Sequence, residues 1–152
     1  RRRHTRLQGD WSSDVCSSDL ATVREDFPGG WPSDDLQKNR FVATGRNLQQ
    51  ELSFSYVRTL AKFRRASSAL TQGRLMQYIP QNGVYIYFRY NADQTVMVIT
   101  NNGKETVSPD WNHFRERVTG FSTMRDVISG QVSALKGFQI KPGESFVMEL
   151  LK

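Results

Sequence analysis

Around Ser67 to Gly73 the spacing of apolar residues changes from near four to two, so the chain must pass from a helix to strands there. Upstream, Leu48, Leu52, Tyr56, Leu60 and Phe63 recur at intervals of four, four, four and three, with Val57 widening the stripe. That spacing puts them on one face of a helix over residues 47–65, and a helix so apolar on one side requires a surface to cover it. Gln49, Gln50, Arg58, Lys62, Arg64 and Arg65 take the other faces, the basic ones near the C-terminal end where they complement the helix dipole.

Downstream, short runs of β-branched and aromatic residues alternate with turn signals. Strands are expected at Leu75 to Ile79, Val84 to Tyr90, Thr95 to Thr100, Glu105 to Val107, Met124 to Ser129, Phe138 to Lys141 and Ser145 to Leu151. Asn82-Gly83 predicts a tight hairpin, Asn91-Ala92-Asp93 and Asn102-Gly103 further turns in an antiparallel meander, and Pro142-Gly143 the last connection. Asp110 to Arg115 reads as a short helical insertion after Pro109. Seven short strands so separated suggest a sandwich. Within Val84 to Tyr90, Val84, Ile86 and Phe88 share one side and Tyr85, Tyr87 and Arg89 the other. The paired rings of Tyr85 and Tyr87 offer a sugar platform, which Tyr90 and Trp111 could extend; the alternative is a tyrosine face packed at a domain junction.

One stretch before the helix concentrates charge, aromatic surface and turn chemistry: Arg24-Glu25-Asp26-Phe27-Pro28-Gly29-Gly30-Trp31. Pro28 restricts one torsion and the glycines permit positive ones, which predicts a shaped loop presenting Asp26, Phe27 and Trp31 together. Beyond it, Pro32-Ser33-Asp34-Asp35 offers capping side chains for a short helical turn through Asn39 and Arg40.

At 152 residues, with 38% hydrophobic residues, the chain can bury a core of its own. The net charge of +6 is spread along the chain rather than gathered in one run, so no nucleic acid partner is expected. No apolar run approaches the roughly twenty residues of a membrane helix, so no membrane association is expected either. His113 has no second histidine or cysteine at metal spacing. Residues 1–20 stand apart: Asp10 to Leu20 resembles the in-frame translation of a sequencing-library adapter, so residues 1–20 are read as a disordered artefact. That reading removes Cys16, the sole cysteine, together with His4 and Trp11, from the functional candidates.

The order of Arg24 to Trp31, Asn39-Arg40-Phe41, Gly45-Arg46, the helix ending Leu60-Ala61-Lys62-Phe63-Arg64-Arg65, and Gly83 to Tyr90 resembles the C-terminal part of a bacterial α-amylase-family enzyme. Within that family the likeness is to the neopullulanase and cyclomaltodextrinase group, and it spans Ala21 to Lys152. It implies a mainly β fold, an antiparallel β-sandwich C-terminal domain over 73–152, preceded over 21–72 by the last loop and closing α-helix of a truncated (β/α)8 barrel. It further implies that the missing barrel packs on helix 47–65, that the loop holding Asp26, Phe27 and Trp31 borders the glucan cleft, and that α-glucan oligosaccharides are met through the parent enzyme. The family hydrolyses α-glucosidic bonds with retention, using carboxylates that lie earlier in the barrel, so no residue here is assigned a catalytic role. No cofactor is expected in this chain, calcium being allowed in the full-length parent. The resemblance points to a bacterial periplasm or cytoplasm, the native N-terminus being missing. The alternative is a non-catalytic glycan-binding β-sandwich.

Overall fold

A computed structural model describes residues 27–152; the chain divides into two compact units, Arg1–Leu52 and Ser53–Lys152. The readings made of residues 1–20 and of Asp26 lie outside the described residues.

In the first unit, residues 31–41 form hydrogen-bonded turns, and the expected helical turn is a single one in which Lys38 N and Asn39 N donate to Asp35 O at 3.0 and 2.9 Å. The Asp34 carboxylate accepts from Trp31 N at 2.7 Å and that of Asp35 from Gln37 N at 2.9 Å, bonds that hold the backbone in turns. A single 3-10 turn, Ala43–Gly45, follows. Helix α1, Leu48–Ala66, runs from the first unit into the second and begins with a reciprocal cap. Asn47 Oδ1 accepts from Gln50 N and Gln50 Oε1 accepts from Asn47 N, both at 2.9 Å, which satisfies two amides that the first helical turn leaves without partners. No residue of α1 is buried among the described residues: Leu48, Leu52, Tyr56 and Val57 are all exposed, Leu48 at 74%.

In the second unit a one-turn helix α2, Ser68–Thr71, is capped by Ser67, whose Oγ accepts from Leu70 N at 3.2 Å. Six strands follow: β1 Arg74–Gln77, β2 Val84–Tyr90, β3 Thr95–Asn101, β4 Thr123–Asp126, β5 Val132–Ala134 and β6 Ser145–Leu151. All pairings are antiparallel, in the order β1-β2-β3-β6-β4-β5. Strands β1 to β3 are the expected meander, while the last strand returns to lie between β3 and β4. In register, Met97 faces Met148 and Met124 faces Leu150.

The β1–β2 hairpin closes where Asn82-Gly83 predicts it. Asn82 and Gly83 take φ of 52° and 78°, and Gln81 and Val84 exchange both backbone bonds at 3.0 and 2.8 Å. Strand β1 ends at Gln77, short of Ile79; Tyr78 N still reaches Ile86 O at 3.4 Å, and Pro80 has no N–H with which to extend the ladder further. Asn102-Gly103 does not continue the meander. Its backbone presses on the first hairpin, and a Cβ on Gly83 would stand 2.6 Å from Gly103 Cα.

Alternation along the strands buries one face of the sheet. Val84, Ile86, Phe88, Met97, Ile99, Met124, Met148 and Leu150 form one cluster with Phe114, Val118, Leu135 and Ile140 from the connecting segments. At about 1.5–3 kcal/mol for each large side chain withdrawn from water, this cluster dominates the favourable side of folding. The mainly antiparallel β architecture is therefore present. Its second layer is built from connections: helix α3, Arg115–Val118, and an isolated bridge between Val107 and Ile140, which stands where strands were expected at Glu105 to Val107 and Phe138 to Lys141. Asn101, fully buried, ties these connections to β3 by donating from Nδ2 to Glu105 O at 2.8 Å and Ile140 O at 3.0 Å. Strand β5 is unannounced in the sequence, since Val132-Ser133-Ala134 is too short for a periodic signal.

Candidate functional site

Two places merit description as sites, one in each unit. In the first, Pro28-Gly29-Gly30 bends with φ of 111° and 101° at the glycines, and Pro28 O accepts from Arg40 N at 2.8 Å. The bend wraps around Asn39, which is buried. A Cβ on Gly29 would fall 2.2 Å from Asn39 Oδ1, and the same oxygen accepts from Phe41 N at 3.0 Å. Phe27 stands edge-on to Phe41 with centroids 5.0 Å apart. Trp31, 74% exposed, is bonded through its backbone to Asp34. Arg46 closes the turn from below, donating Nη1 to Arg40 O at 2.6 Å and Nε to Glu51. The structure thus puts Phe27 and Trp31 on one shaped loop with exposed aromatic surface. Asn39 and Arg46, which organise it, are visible in the sequence only as residues in an order. Burial of a polar side chain has no one-dimensional signature.

In the second unit, the outer face of the sheet carries Tyr85 and Tyr87, both half-buried, with centroids 5.6 Å apart and rings tilted 36°. Tyr85 donates its hydroxyl to Gln77 Oε1 at 2.9 Å, which fixes that ring against β1. Tyr87 lies beside Gln77 on one side and Val98 on the other. Tyr90 and Trp111 do not extend this platform. Both pack toward the core cluster, because Tyr90 shares the parity of Phe88 and Trp111 leans on Phe114 at 6.1 Å. His113, exposed, meets Tyr78 with the rings tilted at a centroid distance of 5.4 Å and Phe114 edge-on at 4.9 Å.

Several other polar residues of this unit are engaged in structural bonds. Arg89 donates to the carbonyls of Ala69, Leu70 and Gly73, covering the end of α2. Gln94 accepts from Ser67 Oγ at 2.6 Å and donates to Glu149 Oε1 at 2.6 Å; Glu149 also pairs with Arg125. Burial opposes ionisation of Glu149, but the bonds from Gln94 and Arg125 outweigh it and hold the carboxyl below its ordinary range. A general acid needs the opposite shift. Asp126 accepts from Ile128 N, Ser129 N and Ser129 Oγ, Asp110 from Asn112 N, and Glu144 from Lys141 N. Among the described residues no group of three or more His, Cys, Asp or Glu side chains could hold a metal ion. No helix of the described residues is long and apolar enough to cross a membrane.

Residues 75–149 match the family described as the cyclo-maltodextrinase C-terminal domain. Among solved structures, the chain is similar to a variant of AmyP in complex with maltotriose, at 22% identity and a TM-score of 0.55 over 68% of this chain and 22% of that one. It is similar to an α-amylase from Anoxybacillus at 16% identity and a TM-score of 0.54, over 80% of this chain and 26% of that one. A trehalose-6-phosphate hydrolase from Bacillus licheniformis shares the fold at 22% identity and a TM-score of 0.51, over 72% and 21% of the two chains. At such identities the likeness is one of fold, and the chain spans only 22% of the first of these structures.

Proposed function

We propose that this chain, whose residues 75–149 match the cyclo-maltodextrinase C-terminal domain family, is the C-terminal part of an α-glucan-hydrolysing enzyme of the α-amylase type. The parent breaks down starch, pullulan or cyclomaltodextrin with retention, in the manner of the neopullulanase and cyclomaltodextrinase group, and the chain alone is inactive. The observation that carries this reading is the family match itself, ending one residue short of Leu150 on the central strand β6. The apolar stripe of α1, unburied among the described residues, supports it, since a closing barrel helix would bury that stripe on the rest of the barrel. The loop holding Phe27 and Trp31 then borders the cleft, in a bacterial periplasm or cytoplasm.

Retaining hydrolysis requires two carboxyl groups about 5–5.5 Å apart, one of them with a raised pKa. Glu149, Asp126, Asp110 and Glu144 are instead committed to the bonds described above, which supports inactivity. The purified chain should release no reducing sugar from pullulan, starch or cyclodextrin; measurable release sinks the proposal. A glycan-binding module is the second reading, favoured by the joint outward placement of Tyr85 and Tyr87. Retarded migration in an amylose-containing gel, abolished by Tyr87→Ala, would establish it.

A further inference from the structure

One groove of the second unit is not absorbed by this reading. It is lined by Gln72, Arg74, Tyr90, Asn91 and Arg117, with no carboxylate among its lining residues. The other arginines of this unit that project from the sheet are engaged: Arg89 on three carbonyls and Arg125 on Glu149. Arg74 and Arg117 have no ion pair among the described residues. Arg117 is nevertheless held in place, its Cζ 3.9 Å from the centroid of the Tyr90 ring, and its Nε is buried without an acceptor. Packing on the aromatic face therefore sets this guanidinium, where a carboxylate would ordinarily do so. Asn91 is occupied with Ser68, Asp93 and Gln94, so the remaining side-chain donors among the lining residues belong to Gln72, Arg74, Arg117 and the Tyr90 hydroxyl. The neighbouring Glu116 forms no ion pair with Arg117; its charge instead adds to burial in raising the pKa of Tyr78.

We propose that the groove between Arg74 and Arg117 binds a small oxyanion, a phosphate or a carboxylate. A planar guanidinium already immobilised on an aromatic ring loses little freedom on meeting two acceptor oxygens, and a second guanidinium alongside adds charge-assisted bonds. A net-positive, acid-free concavity selects an anion over a neutral sugar.

Calorimetric titration of the whole chain with sodium phosphate, and separately with sodium acetate, against sodium chloride at equal ionic strength, tests this. Saturable binding of phosphate identifies a tetrahedral oxyanion, and of acetate alone a carboxylate; either supports the proposal. Arg74→Gln, at an exposed position, should weaken binding about tenfold by removing one charged donor. Arg117→Lys should weaken it while leaving the thermal midpoint in chloride near that of the unaltered chain. Absence of saturable binding by both anions, or undiminished binding in Arg74→Gln, would overturn it. Neither outcome bears on the absence of hydrolysis, so the two proposals fail separately.

Discussion

Helix α1 and strand β2 each carry apolar residues at the period of their own backbone, yet they reach opposite environments. Val84, Ile86 and Phe88 of β2 are 7%, 2% and 0% exposed, while Leu48 and Leu52 of α1 are 74% and 56% exposed. The partner of β2 lies within residues 95–150, as Met97, Ile99, Met148 and Leu150. The stripe of α1 has no such cover among the described residues. A periodic pattern states that a face is built to be buried; it says nothing of whether the covering surface is at hand.

The sharpest way to break this contrast is substitution at the two extremes. Phe88→Ala removes a fully buried ring from the middle of the cluster and should cost about 3–5 kcal/mol, read as a lower urea midpoint with the slope preserved. A loss below about 1 kcal/mol would mean that the cluster is not the stabilising core.

A smaller effect is expected on the outer face. Because the folded-state pKa of Glu149 lies below its ordinary value of 4.5, its contribution is complete above that pH and is lost as pH falls through the folded value. Glu149→Gln should therefore flatten that part of the stability profile, and Arg125→Gln should do so in part, with about 0–1 kcal/mol at neutral pH because Arg125 is half exposed. Identical acid limbs in all three proteins would show that the Gln94–Glu149–Arg125 network does not favour the carboxylate.

The smallest effect belongs to the helix. Leu52→Ala should change the stability of this chain by about 0.5 kcal/mol or less, since an exposed side chain has little burial to lose. Should equilibrium unfolding show a loss above about 1.5 kcal/mol, the stripe is covered in solution and the contrast with β2 fails. In the proposed intact enzyme the same substitution should be costly, which turns the comparison into a direct test of the fragment reading.

Much of the scaffold is legible one residue at a time. The period near four delimits α1 to within one residue at each end, Asn82-Gly83 places a hairpin that needs two positive φ values, and the alternation in Val84 to Tyr90 sorts its faces. The errors share a cause. Residues 105–107 and 138–141 have strand composition, but only Val107 and Ile140 pair, each N–H donating to the other's carbonyl at 3.0 Å, and Asn101 bonds Glu105 O and Ile140 O from the side. Tyr90 and Trp111 have the right chemistry for the tyrosine platform and the wrong placement for it. In the loop, Gly29 and Gly30 announce a bend, but that it closes around Asn39 depends on an approach between residues ten apart.

The sequence by itself determined a helix with one apolar face, an antiparallel β region and the turns between its early strands, because these follow from local sterics and from side-chain period. Only the tertiary structure decided that β6 lies between β3 and β4, that connections rather than a second run of strands cover the core, and that Arg74 and Arg117 share a groove. Those outcomes rest on contacts between residues far apart in the chain, where the closure of long segments and the packing of specific surfaces set the free energy and no local pattern records the choice.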